Sequence, residues 1–266
     1  MSIYYKENAE NFRIAINSMI NQTLPPEDIV LVEDGPLTEE LYAVIDQIKE
    51  AHPDLITRVV NEKNLGLGLA LQKGLKETRN EIVARMDTDD IAVSERCEKQ
   101  LNFMNKNLDV AIVGGQIEEF IEESSNIVGK RKVPIEDQDL KNYIQKRCPF
   151  NHMTVMFRKS DVLEVGNYRE WFLNEDYYLW IRLAFAKKKF ANLPETLVKV
   201  RIDKNTYKRR GGIRYFLSEK SIQRLMLNRG MISYLRYFIN VGERFVLQVL
   251  MPNRIREIIF RRLARK

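Results

Sequence analysis

Three strand–helix units fill the first 90 residues, and that repeat restricts the chain to α/β architectures with a mostly parallel sheet. Ser2-Ile3-Tyr4 opens the series, and Phe12, Ile16, Met19 and Ile20 then share one helical face. Pro25-Pro26 ends that helix, and the apolar run Ile29 to Val32 reads as a buried parallel strand. Asp34-Gly35-Pro36 signals a turn, after which Thr38 caps a helix with the stripe Leu41, Val44, Ile45 and Ile48. Leu55 to Val60 is a third strand, followed by a glycine-containing loop and a helix over 69–78. Glu81 to Asp87 is the fourth strand, and it ends in acid. Central parallel strands span about five or six residues, so the opening residues of the first strand are expected upstream of Met1.

Beyond residue 90 the pattern changes. Ser94 caps a helix to about Asn105, Val110 to Val113 is an apolar strand ending at Gly114-Gly115, and Gln116 to Glu122 alternates as a half-exposed strand. A polar hairpin or loop over Glu122 to Gly129, a helix over 136–146 and a strand from Met153 to Phe157 follow. An amphipathic helix opens at Glu175-Asp176, a strand around Leu197 to Arg201 closes the body, and the chain from about Tyr207 reads as helical and basic.

A length of 266 residues with 44% hydrophobic residues suits one α/β domain with an appendage. Cys97 and Cys148 are the only cysteines, too few and too far apart for a disulfide framework or a zinc site, which points to a reducing cytoplasm. The N-terminus shows no signal-peptide pattern, and no uncharged apolar window reaches the length of a membrane span. The net charge of +6 conceals an asymmetry. Residues 201–266 hold 17 Lys+Arg against 4 Asp+Glu, whereas the preceding 200 hold 26 against 33. A basic tail on an acidic body implies a partner of its own for the tail, an anionic membrane surface or nucleic acid.

Asp87-Thr88-Asp89-Asp90 is the sharpest chemical feature. It places three carboxylates at the end of a buried strand, where open α/β sheets bind ligands. Unpaired, they would repel one another and resist burial; a divalent cation bridging them to a diphosphate relieves both costs. Glu175-Asp176 at a helix start suits the helix dipole, and either acid can also deprotonate an acceptor hydroxyl. Asp34 is a turn aspartate or an acceptor for a base N–H or ribose hydroxyl. Asn64-Leu65-Gly66-Leu67-Gly68 lacks the full glycine pattern of a phosphate-binding fingerprint but suits a backbone-donor loop near a nucleotide. His152 is either a satisfied structural histidine or a contact to metal or diphosphate. Trp171 and Trp180 offer rings for sugar stacking, although the helical spacing of Trp180 also fits the core.

In this order, these segments resemble the family 2 glycosyltransferases of GT-A fold, from Ser2 to about Arg201. The resemblance rests on Ser2-Ile3-Tyr4-Tyr5, Gln22-Thr23, Leu31-Val32-Glu33-Asp34-Gly35, the Asn64–Gly68 loop and Asp87–Asp90. It continues through Asn151 to Arg158 and Glu175 to Trp180. It implies a GT-A catalytic domain over 1–206, with a nucleotide-binding half of about 1–115 and an acceptor half of about 116–206, and a basic helical region over 207–266. It further implies that Ser2, Tyr4 and Asp34 line the nucleoside pocket and that Asp90 binds Mn2+ or Mg2+. Asp89 then approaches ribose or metal, Asp87 supports both, and Asp176 is the base of an inverting hexosyltransferase, with Glu175 beside it. The segments Asn205 to Gly212 and Pro252 to Arg256 resemble the amylovoran-type exopolysaccharide transferases of bacteria. Those members build on polyprenyl lipids at the inner face of the cytoplasmic membrane, which implies a nucleotide-sugar donor and a saccharide or lipid-linked acceptor. Two other readings are weaker. A sugar-nucleotide pyrophosphorylase needs a glycine-rich basic loop where Tyr4-Tyr5-Lys6-Glu7 stands, and a nucleic-acid-binding protein would not interleave Ile, Leu and Phe with its arginines.

Overall fold

The structure, a computed structural model, describes residues 1–202 and 211–252. Strands β1 (Ser2–Ile3), β2 (Ile29–Asp34) and β3 (Ile56–Asn61) form a parallel sheet with β2 in the middle. All six residues of β2 are buried, because helices cover both of its faces. Its alternating side chains divide between them. Ile29 and Leu31 join the core with α1 (Ala9–Ile20) and α2 (Glu39–Ala51), whereas Val30 and Val32 pack with Ala70 of α3 (Leu67–Glu77). The predicted cap of α2 is present, with Thr38 Oγ1 accepting from Leu41 N at 3.4 Å.

β1 contributes only two residues to the ladder. The amino group of Met1 donates to Val30 O at 2.9 Å inside the sheet, and burial pulls its pKa down to about 5. Past it, a cavity of about 460 Å³ separates β2 from β4 (Ile82–Ala84), with Met1, Ile29, Val30, Ile82 and Arg85 on its walls.

The second sheet runs β4, β8 (Met156–Arg158), β6 (Val110–Phe120), β9 (Lys189–Arg201) and β5 (Ile91–Ala92), with β7 (Ile127–Arg131) hairpinned onto β6. Within it only β6 and β9 pair in parallel. Gly114-Gly115 lies inside a single eleven-residue strand and does not end one, so the expected boundary at 115/116 falls within β6. The two glycines leave room for neighbours. A side chain at Gly114 would come within 2.3 Å of Asn192 Oδ1, and one at Gly115 within 2.4 Å of Leu197 Cδ1.

Other boundaries shift for local reasons. The predicted strand from Met153 is a 3-10 turn over His152–Thr154 before β8, because the turn bonds to β6. Asn151 Nδ2 donates to Gly115 O at 2.8 Å, and Gly115 N donates to Thr154 Oγ1 at 3.0 Å. Ser94 does not cap α4 (Arg96–Lys106); its hydroxyl donates to Glu95, which occupies the N-cap position. α5 (Asp137–Tyr143) is shorter than expected, and α6 (Lys159–Glu164) follows β8. α7 (Glu175–Phe185) sits where the sequence places an amphipathic helix, with Leu179, Trp180 and Leu183 buried.

After the body come α8 (Ile213–Asn228), α9 (Tyr234–Phe245) and a π-helical turn over Val246–Leu250. Ile222 and Met226 of α8 join the core that contains Trp180. The stretches 203–210 and 253–266, with most of the tail segments noted above, lie outside the described residues. No helix among the described residues is long and apolar enough to cross a membrane.

Candidate active site

The loop after β4 gathers the acids. One carboxylate oxygen from each of Asp87, Asp89 and Asp90 lies within 4.8 Å of the others, and among the described residues this is the one such cluster. Neighbouring strands fix its shape. Arg201, at the end of β9, donates its backbone N–H to Asp90 Oδ1 at 2.9 Å and its Nε to Asp89 O at 3.2 Å. Thr88 Oγ1 bonds to Ser2 O at 3.3 Å and Glu7 Oε2 at 3.0 Å, tying the loop to the end of β1. Burial, then Asp87 and Glu7, raises the Asp89 carboxyl to about 7. Burial, then Asp89 and Asp87, raises Asp90 well above the usual carboxylate range.

One cation answers this charge from below. Arg85, fully buried, pairs with Asp87 through Nη2, while its Nε and Nη1 have no hydrogen-bond partner among the described residues. Arg96, buried on α4, donates Nη2 to Arg85 O at 2.6 Å and so anchors the strand end from which the acidic loop leaves.

The Glu175–Asp176 pair begins α7. Burial, then Asp176, raises Glu175 to about 7, with Arg85 and Asp87 also acting on it. Burial raises Asp176 as well, and its Oδ2 accepts from Cys148 Sγ at 3.5 Å. The Asn64–Gly68 loop reaches this helix: a side chain at Gly68 would come within 3.1 Å of Glu175 Cβ. The two acidic groups therefore lie within electrostatic reach of each other, with the loop packed against Glu175.

Asp34 is tied to the loop that follows β3. Its carboxylate accepts from Leu65 N at 2.8 Å, Gly66 N at 2.9 Å and Asn61 Nδ2 at 3.1 Å. Asn64 Nδ2 donates to Asp34 O at 3.2 Å. The N–H groups of Leu65 and Gly66 are thus engaged by Asp34, which holds the loop in place. Gly35, at φ +92°, permits the approach, since a side chain there would meet Asn64 N at 2.8 Å. Ser2 abuts the acidic loop through its carbonyl, and Tyr4 is exposed beside it. His152 lies outside the carboxylate cluster: its Nε2 shares a 3.0 Å hydrogen bond with Tyr168 Oη, and burial lowers its pKa well below the usual value. Trp180 is fully buried against Phe150 and His152, and Trp171 stacks on Tyr178 with its Nε1 bonded to Ser218 O.

Sequence reasoning missed Arg85, Glu7, Arg201 and Cys148. Arg85 alone carried a signal, as a charge inside the apolar run Ile82 to Met86 two residues before the first acid. The others reach the site only through tertiary contacts.

The cluster suits a hard divalent cation, because three mutually repelling carboxylate oxygens are the ligand type such ions take. The profile of Glycosyl transferase family 2 matches residues 2–165. The chain is 36% identical over 260 residues to the amylovoran biosynthesis glycosyltransferase AmsE of Erwinia amylovora, covering 98% of this chain and 96% of that one. It is also 36% identical over 266 residues to the UDP-Gal:alpha-D-GlcNAc-diphosphoundecaprenol beta-1,3-galactosyltransferase of Escherichia coli, covering 100% and 95%. The structure of S. aureus TarS 1-349 in complex with UDP-GlcNAc superposes with a TM-score of 0.65 at 16% identity, over 92% of this chain and 72% of that one. Mannosyltransferase PcManGT from Pyrobaculum calidifontis, solved with GDP-Man and Mn2+, gives 0.62 at 15% identity, over 93% and 69%. At those identities the two structures bear on the fold, which is GT-A. With a matching profile, full-length bacterial polysaccharide-biosynthesis relatives and an acidic cluster at the strand ends, the chain belongs to glycosyltransferase family 2.

Proposed function

We propose that the chain is an inverting hexosyltransferase. It takes its sugar from a nucleotide diphosphate donor, UDP-linked, and passes it to a saccharide on a lipid carrier during bacterial surface-polysaccharide synthesis. It works in the cytoplasm, peripherally on the inner face of the membrane. The observation that carries this reading is the three-carboxylate cluster with the Glu175–Asp176 pair within reach of its charge. The substrates in the name of the E. coli relative, UDP-Gal and alpha-D-GlcNAc-diphosphoundecaprenol, support these donor and acceptor classes.

Asp89 and Asp90, supported by Asp87, would hold Mn2+ or Mg2+. Once bound, that cation supplies positive charge for the leaving diphosphate. Ser2 and Tyr4 border the nucleoside, and Asp34 acts there by fixing Asn64 and Gly66. Asp176 takes the proton of the acceptor hydroxyl as it attacks C1 from the face opposite the diphosphate. Burial keeps its proton affinity above that of a free aspartate, which brings a carboxylate closer to the operating pH of a useful base. His152 stays bonded to Tyr168.

Product stereochemistry tests the reading. NMR of the glycoside formed from a UDP-α-sugar and a lipid-linked saccharide should show the β-anomer, and an α-product contradicts inversion. Asp176→Asn should lower turnover on the order of 10²–10⁴-fold while donor binding survives. Near-normal turnover in Asp176→Asn with collapse in Glu175→Gln moves the base to Glu175.

A further inference from the structure

Helix α9 is amphipathic in the reverse of the usual sense. Its protein-facing side is polar. Asn240 Nδ2 donates to Gln145 O and Gln223 Oε1, both at 2.8 Å, and Arg244 Nε donates to Glu219 Oε2 at 2.8 Å. One turn on, Gln248 Nε2 donates to the same Glu219 oxygen at 2.7 Å. These three residues recur every four positions and are buried. The outward side is apolar: Tyr234, Leu235, Phe238 and Ile239 are 74%, 72%, 67% and 46% exposed. The stripe continues through exposed Phe245 and Val246, at the spacing of one helical face. A helix that only covered the body would point this stripe inward and its Asn, Arg and Gln into water. The fold instead gives Asn240, Arg244 and Gln248 specific partners and, among the described residues, leaves the apolar side exposed.

Charge identifies the occupant. The segment 211–252 holds six Lys+Arg against two Asp+Glu, and Arg236 is exposed on α9 itself. A second copy placed on this face would set one basic region against another. Nucleic acid would use the cations but leave Leu235, Phe238 and Ile239 without a role. An anionic bilayer satisfies both, with apolar side chains in the acyl boundary, tyrosine at headgroup depth and arginines on the phosphates.

We propose that the outward face of α9, centred on Leu235, Phe238 and Ile239, is a monotopic docking surface for an anionic lipid bilayer. The inference rests on the reading that the acceptor is carried on lipid, and it names the element that brings the enzyme to that acceptor. α9 lies in the interface plane without crossing it, held by its polar side to α8 and to the carbonyls of Gln145 and Lys146.

Vesicle co-sedimentation of the full chain tests it, with no donor or acceptor present, so the result is independent of transfer. Wild type should pellet with phosphatidylglycerol vesicles at low salt, less so with phosphatidylcholine, and progressively less as salt rises. Leu235→Glu with Phe238→Glu changes two exposed positions and should weaken capture by about tenfold or more, with an unaltered thermal melt. Failure of wild type to pellet with anionic vesicles, or equal capture of the double variant, overturns the proposal. So does sedimentation velocity showing a lipid-free wild-type dimer that the double variant dissolves, since a second copy then covers the face. Vesicle capture by a chain that does not glycosylate a lipid-linked saccharide supports the docking surface and contradicts the acceptor assignment alone.

Discussion

At neutral pH the carboxyl of Asp89 is poised between its two states, because burial, Asp87 and Glu7 bring it to about 7. An unfolded aspartate titrates near 3.9, so without metal the folded chain holds a proton that the unfolded chain has already lost. Protons bound in excess by the native state make stability fall as pH rises through that window. The contribution of Asp89 is thus most favourable below about pH 4 and has been lost once pH passes about 7. Asp89→Asn removes the titration, so in a chelator the variant should be more stable than wild type at pH 8. That advantage should shrink at pH 5, by on the order of 1–3 kcal/mol. Comparing the two proteins cancels the opposing pH dependence of buried His152 and the Met1 amine. Thermal melts at the two pH values read it; an advantage that is constant with pH contradicts the charge assignment. The acids themselves were legible because a run of three in four residues at a strand end is rare. Arg85, Glu7 and Arg201, which set their protonation and placement, were hidden because sequence spacing carries no information about which distant strands meet.

β6 shows where element-level reading succeeds and where it fails. The apolar run Val110 to Val113 announced a buried strand, yet Gly114-Gly115 looked like its end. In the fold the glycines are interior, because Asn192, Phe150 and Leu197 occupy the space a side chain would take. That close approach seats the turn from Asn151 to Thr154, which in turn leads to Arg85 through Val155 O, 2.9 Å from Arg85 N. Gly114→Val should therefore cost on the order of 1–3 kcal/mol by overpacking. The measurement is the urea midpoint, and an unshifted midpoint contradicts the packing argument. The parallel strands β2 and β3 were easier to place, since each is an unbroken apolar or alternating run between turn signals. β4 and β8 pair over only three residues each, fewer than the runs Glu81 to Asp87 and Met153 to Phe157 by which the sequence announces them.

Across the whole molecule, an acidic stretch of 200 residues precedes a basic one, a division already visible as 17 cations against 4 acids in the last 66 residues. The inverted orientation of α9 was not visible, because a helical stripe has the same period whether it faces the core or the solvent; only its partners Glu219, Gln223 and Gln145 reveal which side is in. The reading proposed for Asp87, Asp89 and Asp90 is that they hold a divalent cation together with the donor diphosphate. Calorimetric titration of UDP into the full chain tests it most directly, with and without Mn2+ and in wild type and Asp90→Ala. The account predicts binding by wild type that requires Mn2+, and its loss in an Asp90→Ala protein that remains folded. UDP binding of equal affinity in chelator, or undiminished Mn2+-dependent binding in Asp90→Ala, would contradict it.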